Sequence, residues 1–76
     1  MTKKTIKEVI KIGLTVQGIN ITELSRRVGK TSSTMSNTFI RNKPNLAITL
    51  QSIKELGGRV IVEFDDLSIE LIESKK

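Results

Sequence analysis

N-I-T-E-L-S-R-R-V-G-K-T-S-S-T-M-S-N-T-F-I-R-N-K-P, residues 20–44, decides how this chain is read. Asn20 predicts a helix N-cap, and Glu23 stands three residues on, a capping-box pattern with Asn in place of Ser or Thr. Ile21, Leu24 and Val28 recur at helical spacing and predict an inward stripe. Ser25 is small enough to let a neighbouring helix approach. Gly29 ends this helix, because glycine accepts a positive φ. Thr31 predicts the N-cap of the next helix, covering N–H groups that Ser32 to Thr34 would otherwise leave bare. Met35 and Phe39 lie on one side of that helix at i, i+4, while Ser32, Ser33, Ser36 and Asn37 lie on another. Pro44 disfavours helix at Lys43, so Arg41-Asn42-Lys43-Pro44 predicts a polar loop.

Upstream, residues 4–17 carry Ile6, Val9, Ile10, Leu14 and Val16, a roughly helical stripe ended at Gly18, with Gly13 weakening the helix by about 1 kcal/mol relative to Ala. Downstream, Asn45 predicts the cap of a fourth helix. Leu46, Leu50, Ile53 and Leu56 form its apolar stripe and Gly57-Gly58 end it. The period then changes to two. Val60, Val62 and Phe64, then Leu67, Ile69 and Leu71, flank Asp65-Asp66, which predicts a hairpin. With a two-residue turn, 64 faces 67, 62 faces 69 and 60 faces 71, so all six apolar residues share one face. Asp-Asp is a weaker turn than Asp-Gly, which leaves a longer loop open. Residues 67–74 also fit a helical period through Leu67, Leu71 and Ile72. The expected fold class is therefore mainly α with a C-terminal β extension (α+β).

The chain has 76 residues, which predicts one domain, with residues 1–57 as a helical core and 58–76 as a β extension. There is no Cys, so no disulfide or zinc thiolate supports the thin core of so small a chain. The absence fits a reducing cytosol, and a cytoplasmic protein is expected. No apolar run approaches the ~20 residues of a membrane span, and charges at Lys7, Glu8 and Lys11 argue against a signal peptide. With no His, no Cys and no paired carboxylates on a helix, neither an enzyme nor a metal site nor a cofactor is expected. Asp65 and Asp66 read as turn residues rather than a metal pair.

The net charge of +5 is unevenly spread. Residues 1–43 hold nine Lys or Arg and two acids, a net of +7, whereas residues 44–76 hold four and six, a net of −2. A basic half on an acidic half suggests one surface facing a polyanion and another with a different task. A helix that is small and polar outside, apolar beneath and flanked by cations can enter the DNA major groove, where each base pair shows a distinct donor and acceptor pattern. Ser32, Ser33, Ser36 and Asn37 are the base-contact candidates. Ser donates and accepts over a short reach, and Asn37 can pair in bidentate fashion with adenine. Arg26, Arg27, Lys30, Thr31, Arg41, Asn42 and Lys43 are the phosphate-contact candidates, setting register without reading sequence. The plainer alternatives are solvated arginines, first-turn serines and, for Thr31, a cap.

L-S-R-R-V-G-K-T-S-S-T-M-S-N-T-F, residues 24–39, followed by P-N-L-A-I-T-L-Q-S-I-K-E-L-G, residues 44–57, resembles the helix-turn-helix of lambda-repressor and Cro-type (Xre-type) DNA-binding domains. The resemblance spans roughly residues 5–57. It implies a four-helix lambda-repressor-like bundle containing the helix-turn-helix, followed by a hairpin or dimerisation strands. It also implies that Ser32, Ser33, Ser36 and Asn37 occupy positions that meet base edges or nearby phosphates. The chain departs from the family at Ser32 and Ile21, where Gln is frequent, and at Thr38, where an apolar residue is common.

A single such module binds weakly, and two-fold dimers of this class set their recognition helices ~34 Å apart. The exposed edge of a Val/Ile/Leu hairpin is a natural place for another chain to pair. A homodimer through Val60, Val62, Phe64, Leu67, Ile69 and Leu71 is therefore expected, bound to a palindromic double-stranded DNA operator. The expected role is a repressor-like transcriptional regulator of a phage, plasmid or other mobile element. The alternatives are an antitoxin that binds a toxin and autoregulates its operon, or an adaptor that keeps the fold without DNA binding. An antitoxin would want a longer partner-binding tail than Lys75-Lys76 offers.

Overall fold

Four short polar side chains start four helices in the computed structural model, which describes residues 2–41 and 45–73. Thr5 opens α1 (Ile6–Gln17), Asn20 opens α2 (Ile21–Val28), Thr31 opens α3 (Ser32–Phe39) and Asn45 opens α4 (Leu46–Glu55). Each cap is extended, and its side-chain oxygen accepts the backbone N–H three residues on, from Glu8, Glu23, Thr34 and Ile48 respectively. Removing a cap of this kind costs about 1 kcal/mol. At Thr5 the reciprocal bond also forms, with the Thr5 N–H donating to Glu8 Oε1 at 3.0 Å. These bonds hold the Glu8 carboxyl below its ordinary range. Thr5-x-x-Glu8 ahead of an apolar run carries that signature in the sequence. At Asn20 only half of the expected box exists, because the Glu23 carboxylate turns instead to two arginines.

Each helix contributes to one apolar cluster. Ile10, Leu24, Met35, Phe39, Ile48 and Leu56 are buried together, with Leu14, Ile19, Ile21, Val28 and Ile53 packed around them. Thr38 is buried without penalty. Its hydroxyl donates to the Thr34 carbonyl at 2.9 Å and so needs no outside partner. Ser25 is buried in the same way, donating to the Ile21 carbonyl at 2.7 Å.

Two stripes differ from the sequence reading. In α4, Leu50 and Leu56 of the expected stripe are buried and Ile53 packs against the cluster, but the buried line also takes in Ile48 and Ser52, and Leu46 is 64% exposed. Ser52 can occupy the line because its hydroxyl is satisfied by the Ile48 carbonyl at 2.7 Å. In α1, Ile10 is buried, whereas Ile6, Val9, Ile12 and Val16 are exposed. Gly13 sets this orientation. A Cβ there would lie 2.8 Å from Leu56 Cδ1, so α1 presents its glycine to the end of α4 and turns the Val9/Ile12/Val16 flank outward. Gln17 fastens the same junction, its Nε2 donating to the Leu56 carbonyl at 3.0 Å.

Strands β1 (Val60–Phe64) and β2 (Leu67–Leu71) form a two-stranded antiparallel hairpin. The register is the expected one, with Val60 opposite Leu71, Val62 opposite Ile69 and Phe64 opposite Leu67. The two-residue turn suffices, with Asp65 at φ 50°, and residues 67–71 are strand rather than helix. The molecule is thus mainly helical with a C-terminal two-stranded sheet. No hairpin residue belongs to the buried cluster. Among the described residues no helix is long and apolar enough to cross a membrane.

Candidate nucleic-acid interface

The turn between α2 and α3 is three residues long, Gly29 to Thr31. Gly29 adopts φ 70°, a left-handed conformation that any side chain would strain, and its N–H and that of Lys30 close onto the Arg26 and Ser25 carbonyls. Thr31 starts α3 at once, accepting the Thr34 N–H at 3.1 Å and donating to Thr34 Oγ1 at 2.9 Å. Its hydroxyl is committed to the cap, the plainer of its two sequence readings.

Met35 and Phe39 anchor α3 from beneath at i, i+4, both buried. That anchoring fixes which side faces out. Ser32 and Ser33 are exposed, and Ser36 and Asn37 are half-buried. None of these four side chains hydrogen-bonds to another described residue. The contrast with Ser25, Thr38, Thr49 and Ser52 is direct, since each of those hydroxyls donates to the carbonyl four residues back. The outer row of α3 therefore keeps its donors and acceptors for solvent or a ligand.

The cations near this row are not equivalent. Lys30 and Arg41 are exposed. Arg26 and Arg27 share Glu23. Arg26 Nε donates to Glu23 Oε1 at 3.1 Å and its second nitrogen to Oε2, while Arg27 Nε reaches Oε2 at 3.0 Å. Hydrogen bonds from Arg26, then Arg27, pull the Glu23 carboxyl down to about 2 from its ordinary 4.5, and Glu23 in turn raises Arg26. The spacing E-x-x-R-R, placing both arginines one turn from Glu23, is the sequence signal for this triad. In the sequence Glu23 also fits the cap at Asn20, three residues before it. Asn42 and Lys43, two of the phosphate-contact candidates, lie outside the described residues, as does Pro44.

The sign of the Glu23 effect follows from its lowered folded value. The triad's contribution to stability is complete above the ordinary carboxyl pKa and is lost as pH falls from there toward 2. A carboxylate-detected NMR titration should give Glu23 a midpoint near 2; a midpoint near 4.5 would mean that the arginines do not hold it in solution.

The six dimerisation candidates do share one face of the hairpin, and much of it is open. Val60 and Val62 are half-buried, Leu71 and Ile69 are exposed, and Leu67 and Phe64 at the tip reach 57% and 63%. At the base, Val60 and Leu71 join Leu50 and Ile53 of α4 and Ile72 in lining a cleft of about 450 Å³. Lys54, Arg59, Glu70 and Glu73 also line it. Comparison of the chain with protein-family models, curated proteins and solved structures finds no match.

Proposed function

We propose that this protein is a sequence-specific double-stranded DNA-binding regulator, repressor-like, that inserts α3 of a helix-turn-helix into the major groove and acts as a homodimer. The observation that carries the reading is the outer row of α3. Ser32, Ser33, Ser36 and Asn37 are accessible and bond to no described residue, on a helix held rigid beneath by Met35 and Phe39. A polar row without internal partners, on an element whose other side is locked in a core, suits direct base readout.

Lys30 and Arg41 are free of ion pairs with described residues and serve as phosphate contacts. Arg26 and Arg27 contribute too, with phosphate competing against Glu23 for their donors. The N-terminus of α3 adds a partial positive charge. The apolar hairpin face supplies the contact between subunits, which keeps the acidic C-terminal part away from the phosphates.

The test is selection of bound duplexes from a random pool, followed by a salt titration on the selected site. The expected result is a palindrome with half-sites one helical turn apart. Log K should fall steeply with log salt, as for ~6–10 neutralised phosphates. No enrichment, together with a flat salt response, would leave an adaptor as the better reading.

A further inference from the structure

We infer that the hairpin face is self-complementary, and that a second copy of this chain stacks on it face to face and antiparallel, the tip of each hairpin entering the cleft at the base of the other. The inference rests on the homodimer within the proposed function and specifies how the two copies meet.

Apolar residues occupy all six positions of the face, whereas the opposite face carries Glu63, Ser68 and Glu70 beside Ile61. Pairing through a strand edge would satisfy backbone groups but leave the apolar face in water. Only a partner laid on the face covers it. A two-fold axis lying between two stacked sheets and across the strands sets Val62 over the partner's Val62 and Ile69 over the partner's Ile69. It also sets Phe64 over the partner's Val60 and Leu67 over the partner's Leu71. Side-chain size matches this offset. The bulkiest residue, Phe64, is at the tip, and the open volume of about 450 Å³ is at the base, where Val60 and Leu71 border it.

Charge selects the antiparallel arrangement over tip-on-tip stacking. Glu63, Asp65 and Asp66 are exposed at the tip, so stacking tip on tip would bring two acidic groups together. The antiparallel stack carries them to the partner's base, where Lys54 and Arg59 line the cleft and are exposed. Glu70 and Glu73 line the same cleft and Glu73 lies near Lys54, so the base is balanced in charge where a second tip would be wholly acidic. A face of two short strands buries less than the ~800 Å² per partner of a standard interface, so dissociation in the micromolar range is expected.

Sedimentation equilibrium on the full chain without DNA tests this directly. The wild-type chain should dimerise. Asp65→Lys with Asp66→Lys should raise the dissociation constant at least tenfold, and so should Lys54→Glu with Arg59→Glu. The four substitutions together should restore it to within about threefold. All four positions are exposed, and circular dichroism checks that each variant folds. Because the chain has no cysteine, Val62→Cys and Ile69→Cys each report on their own copy through a short thiol-reactive cross-linker. Both should cross-link in the stack, whereas edge pairing brings together only one of the two positions. A monomer at millimolar concentration, charge reversals without effect, no restoration, or cross-linking at only one position would overturn the inference. A monomer would also remove the homodimer from the proposed function, whereas the other outcomes change only how the two copies meet; DNA binding itself is read separately by selection.

Discussion

Ser33→Ala combined with Asn37→Ala is expected to weaken binding to the selected operator about 30-fold while leaving non-specific binding within about twofold. The magnitude corresponds to ~2 kcal/mol, the low end for losing one bidentate base pairing and one single hydroxyl contact. Neither side chain bonds to another described residue and neither is buried, so the fold should tolerate both changes. Fluorescence anisotropy on operator and scrambled duplexes, at one salt concentration, gives both affinities. Equal losses on the two duplexes would mean that these side chains do not read sequence. Arg41→Ala offers the converse, since a phosphate contact should weaken both duplexes alike and lower the salt slope by about one.

Leu24→Ala is expected to remove about 3 kcal/mol of stability. Leu24 is 0% exposed and belongs to the cluster to which all four helices contribute. The loss combines the transfer free energy of the deleted carbons with the cavity left where four helices cannot all close in. A chain of this size has only ~4–11 kcal/mol in total, so the variant should melt roughly 12–24 °C lower. Urea denaturation followed by circular dichroism measures it, at one protein concentration because association adds to apparent stability. Leu46→Ala is the control. Leu46 is largely exposed, so its loss should change stability by less than ~0.5 kcal/mol. A large effect at Leu46 would mean that α4 is rotated from the orientation described.

The same leucine pair illustrates where sequence reading stops. Leu46, Leu50, Ile53 and Leu56 and the line Ile48, Ser52 and Leu56 are both acceptable helical stripes. Packing kept Leu50, Ile53 and Leu56 of the first, left Leu46 exposed and added Ile48 and Ser52 from the second. A serine on the buried line is invisible as a core residue until its hydroxyl is seen bonded within its own helix. In α1 the periodicity of Ile6, Val9 and Val16 was equally misleading, because the close approach of Gly13 to Leu56 outweighs a few exposed methyls. At the candidate interface, the outward row of α3 was readable because Met35 and Phe39 leave one arrangement only. The engagement of Arg26 and Arg27 by Glu23 was not read, although its spacing was present, because Glu23 had two local partners to choose between.

The sequence by itself determined the element order, the caps at Asn20, Thr31 and Asn45, the turn at Gly29 and the hairpin register. These are settled between residues a few positions apart, by cap hydrogen bonds, by glycine's access to positive φ and by the two-residue alternation of a strand. Only the tertiary structure decided which flank of α1 is buried, that Ile48 and Ser52 rather than Leu46 join the buried side of α4, and that the hairpin's apolar face stands outside the core. Those outcomes depend on partners about forty residues away, such as Gly13 against Leu56, where nearly equal stripes compete and backbone proximity decides.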